Sequence, residues 1–280
     1  MPGEPLGPAS LTWHLGLPRT ALLVAGRGLL LQTMHPVIGA GVRDFSTFTT
    51  DPWGRLDRTL CSLQRQLFGG TEAVDEAYRL RHLHRTIRGV GFSGEPYRAL
   101  DPAAYAWVHL SNFDTLLSFH RWFAPPLSGS EQETLYTEWR QAGRVLGIRD
   151  NHMPADLRAF RMYMGDMVTR TLADNETAQA LLGSLRLDEI GPPRLFPEPL
   201  WRAVRPLGRT LLHDTTVGTL PSAVRTKLDL RWTPVDRRRL QGVAVLVRAG
   251  SATLPDRLLH YPLAVQARRQ ARRFAFPVAS

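Results

Sequence analysis

The chain has 280 residues, of which 43% are apolar, an ordinary globular share that builds a sizeable core without covalent staples. Its single cysteine, Cys61, excludes an internal disulfide framework. The net charge of +10 rests on arginine, since Lys227 is the only lysine. That bias points to genome composition rather than to nucleic acid, and no helix-turn-helix, zinc-ligand or aromatic RNA-binding spacing accompanies it.

Residues 1–18 are rich in Pro and Gly and read as a flexible leader, without the basic-then-apolar layout of a signal peptide. The most apolar run follows, at 21–42. Arg27, Gln32, His35 and Pro36 interrupt it, so it reads as a buried core helix over 19–43, kinked at Pro36, rather than as a membrane span. Helices are predicted at 53–68, ended by Gly69-Gly70, and from Thr71 to about Gly89. GFSGEPYRAL reads as a loop, and Asp101-Pro102 opens a long helix to about Phe123.

Ser128 and Glu131 have capping-box spacing before a helix to Leu146. Further helices are predicted from Pro154 to about Leu172 and over 175–186, 194–213, 219–227, 234–248 and 255–274. VAVLV at 243–247 is short enough for a strand, but its flanks are helical. With no sustained alternation of period two, the fold class is all-α, a single globular domain. Residues 19–250 form its body. Residues 251–280, with the basic run QARRQARRFAF, form a C-terminal helix packing on or extending it.

His82 and His84 lie two positions apart on the helix 71–89 and cannot share a face. Ala73, Ala77, Leu80, His84 and Ile87 step by four and three, the buried stripe of an amphipathic helix. His84 therefore faces inward and His82 outward. A core histidine is ordinarily satisfied by a backbone carbonyl and a second partner. The sharper reading is a ligand to a metal or haem iron.

Arg55, Arg58 and Thr59 stand at i, i+3 and i+4 beside a Leu56, Leu60, Leu63, Leu67 stripe. Two cations and a hydroxyl there suit carboxylates such as haem propionates, bound oxygen or a developing anion, or they are simply solvated arginines. His109, one turn from Tyr105 and Phe113, and His35, before Pro36, are further candidates. For each, the bland alternative is a packed histidine. No GxSxG, HExxH or phosphate loop occurs.

The ordered set LLLQTMHPVIGAGV, DFSTFTTDPWGRLDRT, LFGG, HRTIRG, YRALDPAAYAWVH and LGI resembles the catalytic domain shared by the rubber oxygenases (latex-clearing proteins) and the fungal MpaB-type oxygenases. The resemblance covers roughly residues 20 to 250. It implies an all-helical, globin-like core holding haem b. His84-Arg-Thr-Ile87-Arg88 matches the family's His-x-x-Val-Arg setting, so His84 is the implied iron ligand, with His35 and His109 as further cofactor-pocket residues. Arg55-Leu-Asp-Arg58-Thr59 matches the distal Arg-x-x-Lys-Thr motif, with arginine for lysine at 58. A guanidinium cannot give up its proton, which removes proton relay there.

The glutamate base of the rubber oxygenases also has no counterpart in VIGAGVRDF, where Asp44 is the nearest carboxylate. Polyisoprene cleavage is therefore not carried over. The resemblance implies a haem-dependent oxygenase using O2; without the layout of a secretion signal, a cytoplasmic location and a small lipophilic substrate are expected, and no nucleic-acid partner. The alternative is a non-catalytic all-α protein that binds a lipid or isoprenoid and sets its basic C-terminal helix on a membrane surface.

Overall fold

The computed structural model describes residues 3–48, 50–188, 190–193 and 196–274. It is an all-α single domain in which the described strands form one two-stranded hairpin.

The expected leader is packed. It contains α1 (Leu11–Leu15), capped by Ser10, and buries Leu6, Leu11, Trp13 and Leu17. Trp13 Nε1 donates to the Leu67 carbonyl at 2.8 Å, and the backbone N–H groups of Leu11 and Thr12 donate to Glu138 at 2.7 and 2.8 Å. Those partners are distant in sequence, and the segment's apolar residues have no regular period, so local reading could not reveal the anchoring.

The expected 19–43 helix divides. A 3-10 turn, Arg19–Val24, leads into α2 (Ala25–Thr33), and α3 (Pro36–Phe45) departs at 106°. Pro36 does not kink one helix. It occupies the first turn of a new one, where its missing N–H has no intrahelical acceptor to lose. His35 before it is extended, as a pre-proline residue prefers to be. Leu30, Leu31 and Met34 are fully buried, and no single helix among the described residues is long and apolar enough to cross a membrane.

Asp51 caps α4 (Pro52–Phe68) by accepting from Gly54 N at 3.0 Å. After the Gly69-Gly70 break comes α5 (Glu72–Arg85). The helix expected to reach Gly89 stops at Arg85, and its expected end joins part of the expected loop in a hairpin, in which β1 (Arg88–Val90) pairs antiparallel with β2 (Pro96–Arg98). Three-residue strands are too short to show a period. The central α6 (Pro102–Phe123) buries Trp107, Leu110, Phe113, Phe119 and Phe123. The predicted capping box of Ser128 and Glu131 is present at the start of α7 (Gly129–Val145). Asp156 rather than Pro154 opens α8 (Leu157–Asp166), which runs into a wider π turn, Met167–Thr171.

The chain then forms α9 (Glu176–Ser184), α10 (Glu198–Thr219), α11 (Ser222–Lys227), α12 (Pro234–Thr253), α13 (Asp256–Leu259) and α14 (Pro262–Ala271). The predicted starting residues 194 and 195 lie outside the described residues, and α10 continues past the predicted end at 213. Residues 243–247 are helical, within α12. The C-terminal helix α14 packs Ala264, Ala267 and Ala271 inward, mainly on α1 and α4. Its Arg268 donates to the Leu15 carbonyl at 2.9 Å. The end of the predicted basic segment, 275–280, lies outside the described residues.

Candidate functional site

Over α5 the stripe forms up to its last turn: Ala73 and Ala77 are buried, Leu80 and His84 are half-buried, and His82 is exposed, while Ile87, also half-buried, lies beyond the helix end at Arg85. Leu83, apolar but off the stripe, is 51% exposed. His84 Nδ1 lies 2.7 Å from the carbonyl oxygen of Leu80. A carbonyl only accepts, so Nδ1 is the donor, and in the neutral ring the lone pair is on Nε2. No hydrogen bond from a described residue engages Nε2. The ring meets Tyr105 of α6 edge-on, with centroids 5.9 Å apart. Burial pushes the Tyr105 phenol above its ordinary range and keeps it protonated.

A buried carboxylate fixes α5 against α4. Glu76 accepts from Ser62 Oγ of α4 at 2.5 Å and from Arg79 at 2.6 and 2.8 Å. Burial pushes the Glu76 carboxyl up, but the bonds from Arg79 and Ser62 outweigh it and hold the group below the usual carboxylate range. Glu76 was not anticipated from the sequence. The available signal was an acid three residues after Ala73 and four before Leu80, on the buried side of the stripe.

Arg55, Arg58 and Thr59 do share one face of α4. Arg55 Nε donates to Ser46 Oγ, and its Nη1 lies 3.4 Å from Thr59 Oγ1. Thr59 donates back to the Arg55 carbonyl at 2.9 Å. Arg58 is 63% exposed and bonds Asp51 and Thr47, each at 3.1 Å. Arg55 is the more enclosed cation: burial, and then the charge of Arg58, holds it below the usual arginine range. Among the described residues no hydrogen bond or ion pair joins these three side chains to His84.

The other two histidines differ from each other. His109 Nε2 donates to the Trp139 carbonyl at 2.8 Å while Trp139 Nε1 donates to the His109 carbonyl at 2.9 Å, and the rings stack at 5.2 Å. This reciprocal pair ties α6 to α7. His35 is buried against Trp107, centroids 6.5 Å apart, and its Nδ1 has no partner among the described residues. Burial depresses both imidazoles to about 4. Asp44 is engaged elsewhere: Arg43 donates to it at 2.7 Å and the Tyr97 hydroxyl at 2.7 Å, bonds that keep it below the usual range. Among the described residues no three His, Cys, Asp or Glu side chains gather as a metal-holding cluster.

The arrangement is that of a helical domain offering one imidazole nitrogen beside a cation-bearing helix. The chain belongs to the family of the ER-bound oxygenase mpaB/B′ and rubber oxygenase catalytic domain, matched over residues 12–249. It is similar to the uncharacterized protein Rv2237 of Mycobacterium tuberculosis and the uncharacterized protein Mb2261 of Mycobacterium bovis. Each is 24% identical over 248 residues, which cover 84% of this chain and 91% of the relative. No solved structure matches the chain.

Proposed function

We propose that the chain is a haem-b-dependent oxygenase acting with O2 on a small lipophilic substrate, and that His84 would hold the iron through an imidazole nitrogen. The observation that carries this reading is the 2.7 Å bond from His84 Nδ1 to the Leu80 carbonyl. Metal-ligating histidines characteristically donate their second ring nitrogen in this way, which fixes the tautomer and aims the lone pair. A single protein donor suits iron whose other ligands come from a porphyrin. Bound haem supplies the oxygen-binding and redox chemistry.

The chain's own contribution is orientation and charge. Leu80 and Tyr105 hold the imidazole ring. Arg55 provides the enclosed positive charge for a propionate or an anionic oxygen, with Thr59 supporting it. Arg58 ties Asp51 and Thr47 to α4 at the surface. His35 provides a neutral imidazole beside Trp107, and the His109–Trp139 pair keeps α6 rigid. No step of polyisoprene cleavage is assigned. The experiment is haem stoichiometry in protein purified after expression with haem supplied: near one equivalent in the native chain and loss in His84→Ala. Native protein that takes up no haem would leave the alternative, a helical lipid-binding protein.

A further inference from the structure

A concavity of different character opens at the other end of α6. This cleft of ≈ 710 Å³ lies between the C-terminal half of α6, the end of α10, α11 and the start of α12. From Tyr105 to Ser118, in the cleft wall, is ~20 Å along the helix, so the cleft is separate from His84.

The cleft is lined by four guanidiniums, those of Arg27, Arg121, Arg225 and Arg237, and among the described lining residues by one carboxylate, Asp114. Asp114 is taken up by Arg27. Arg27 is only 5% exposed, donates to the Thr219 carbonyl at 2.7 Å, and still has an Nε without a partner among the described residues. Arg225 spends Nη1 on the carbonyls of Leu220 at 2.6 Å and Val217 at 3.3 Å, which leaves its other N–H groups available. Burial, and then the charge of Arg237, hold Arg225 below the usual arginine range. The side chain of Arg237 makes no hydrogen bond among the described residues.

An aromatic wall is built beside these cations. A Cβ on Gly218 would stand 2.4 Å from the Trp232 ring and 2.5 Å from Leu240, so glycine is what lets the indole lie against α10. The Arg225 guanidinium sits 5.9 Å from the centroid of that ring. An adjoining hollow of ≈ 320 Å³ is also lined by Trp232 and Arg237.

We propose that this cleft binds an organic phosphate, its phosphate held by Arg225 and Arg237 and its apolar or aromatic body laid against Trp232. Guanidinium forks match phosphate oxygens in pairs, and cations in excess of carboxylates suit a dianion better than a single carboxylate. The volume is that of a small-molecule site.

The test is calorimetry and tryptophan fluorescence on the full chain with inorganic phosphate, adenosine 5′-monophosphate and monomeric decyl phosphate. At least one organic probe is expected to bind with a Kd below about 1 mM. Inorganic phosphate is expected to bind roughly tenfold more weakly, and Arg237→Gln to weaken the organic probe by roughly tenfold with unchanged thermal unfolding. Preference for the nucleotide or for the alkyl phosphate identifies the body that Trp232 accepts. Failure of both organic probes, or binding undiminished in Arg237→Gln, would overturn the proposal.

Discussion

The Nδ1 atom of His84 and the carbonyl oxygen of Leu80 stand 2.7 Å apart, one turn from each other on α5. That bond settles the imidazole tautomer with backbone alone. In the neutral ring it leaves the lone pair on Nε2, so the direction of that atom depends on the helix staying intact and docked.

Docking of α5 depends on Glu76. Its bonds to Ser62 and Arg79 are made by a side chain that is 2% exposed. Glu76→Gln keeps the shape and removes the charge, and is expected to lower stability by about 1–3 kcal/mol and reduce haem retention in proportion. Urea unfolding and haem content, measured together, check this. Lower stability with full haem retention would separate the two helices' packing from the site.

The two arginines of α4 should behave differently. Arg58→Ala removes an exposed pair with Asp51 and is expected to change stability by less than about 1 kcal/mol, leaving substrate-dependent oxygen uptake largely intact. Arg55→Ala is expected to reduce that uptake by roughly tenfold or more. Oxygen-electrode assays with lipophilic alkenes compare them. Equal losses would contradict the assignment of Arg55 as the enclosed cation.

His109 is expected to be structural. His109→Gln should lower the unfolding temperature through loss of the Trp139 pairing but leave the haem absorption maximum in place. A displaced maximum would put His109 in contact with the cofactor.

Acid should destabilise the protein well above the carboxylate range. His35, His109 and His260 are depressed from 6.5 to about 4 by burial. Between those values the unfolded chain binds protons that the folded chain does not, so the stability from these neutral histidines is full above pH 6.5 and lost as pH falls toward 4. Each contributes up to roughly 3 kcal/mol. The depressed carboxylates, such as Glu76 and Asp256, lose their contribution only at lower pH. Urea midpoints should fall steadily from pH 6.5 to 4.5, and a flat profile there would count against the burial of these rings.

The N-terminal segment should not be dispensable. Removing residues 1–17 exposes the surfaces covered by Leu6, Leu11, Trp13 and Leu17 and is expected to cost about 5 kcal/mol or more. Thermal unfolding of the truncated chain checks this, and an unchanged midpoint would contradict it.

What the sequence disclosed was whatever local periodicity and capping control. The α5 stripe put His84 inward and His82 outside, and the structure has His84 half-buried and His82 exposed; the Ser128–Glu131 box started α7 where its spacing said. The shared face of Arg55, Arg58 and Thr59 was equally legible, because three- and four-residue steps fix it. Where those guanidiniums end was not, because Arg58 reaches Asp51 and Thr47 through a loop whose path no helix period encodes. The same limit hid Glu138, which anchors α1 from the far side of the chain, and the Arg225–Trp232 cleft, which α6 forms with the sequence-distant α10, α11 and α12. Pro36 was legible as a break but not as a 106° turn, since composition alone does not tell a kink from a helix start.

The most direct test of the account is the absorption spectrum of ferric haem-loaded protein, native and His84→Gly, recorded with and without added imidazole. A Soret band is expected in the native protein, lost or shifted in the glycine variant and restored when imidazole fills the vacated position. An identical Soret band in the two proteins would show that the iron is held elsewhere and would contradict the assignment of His84.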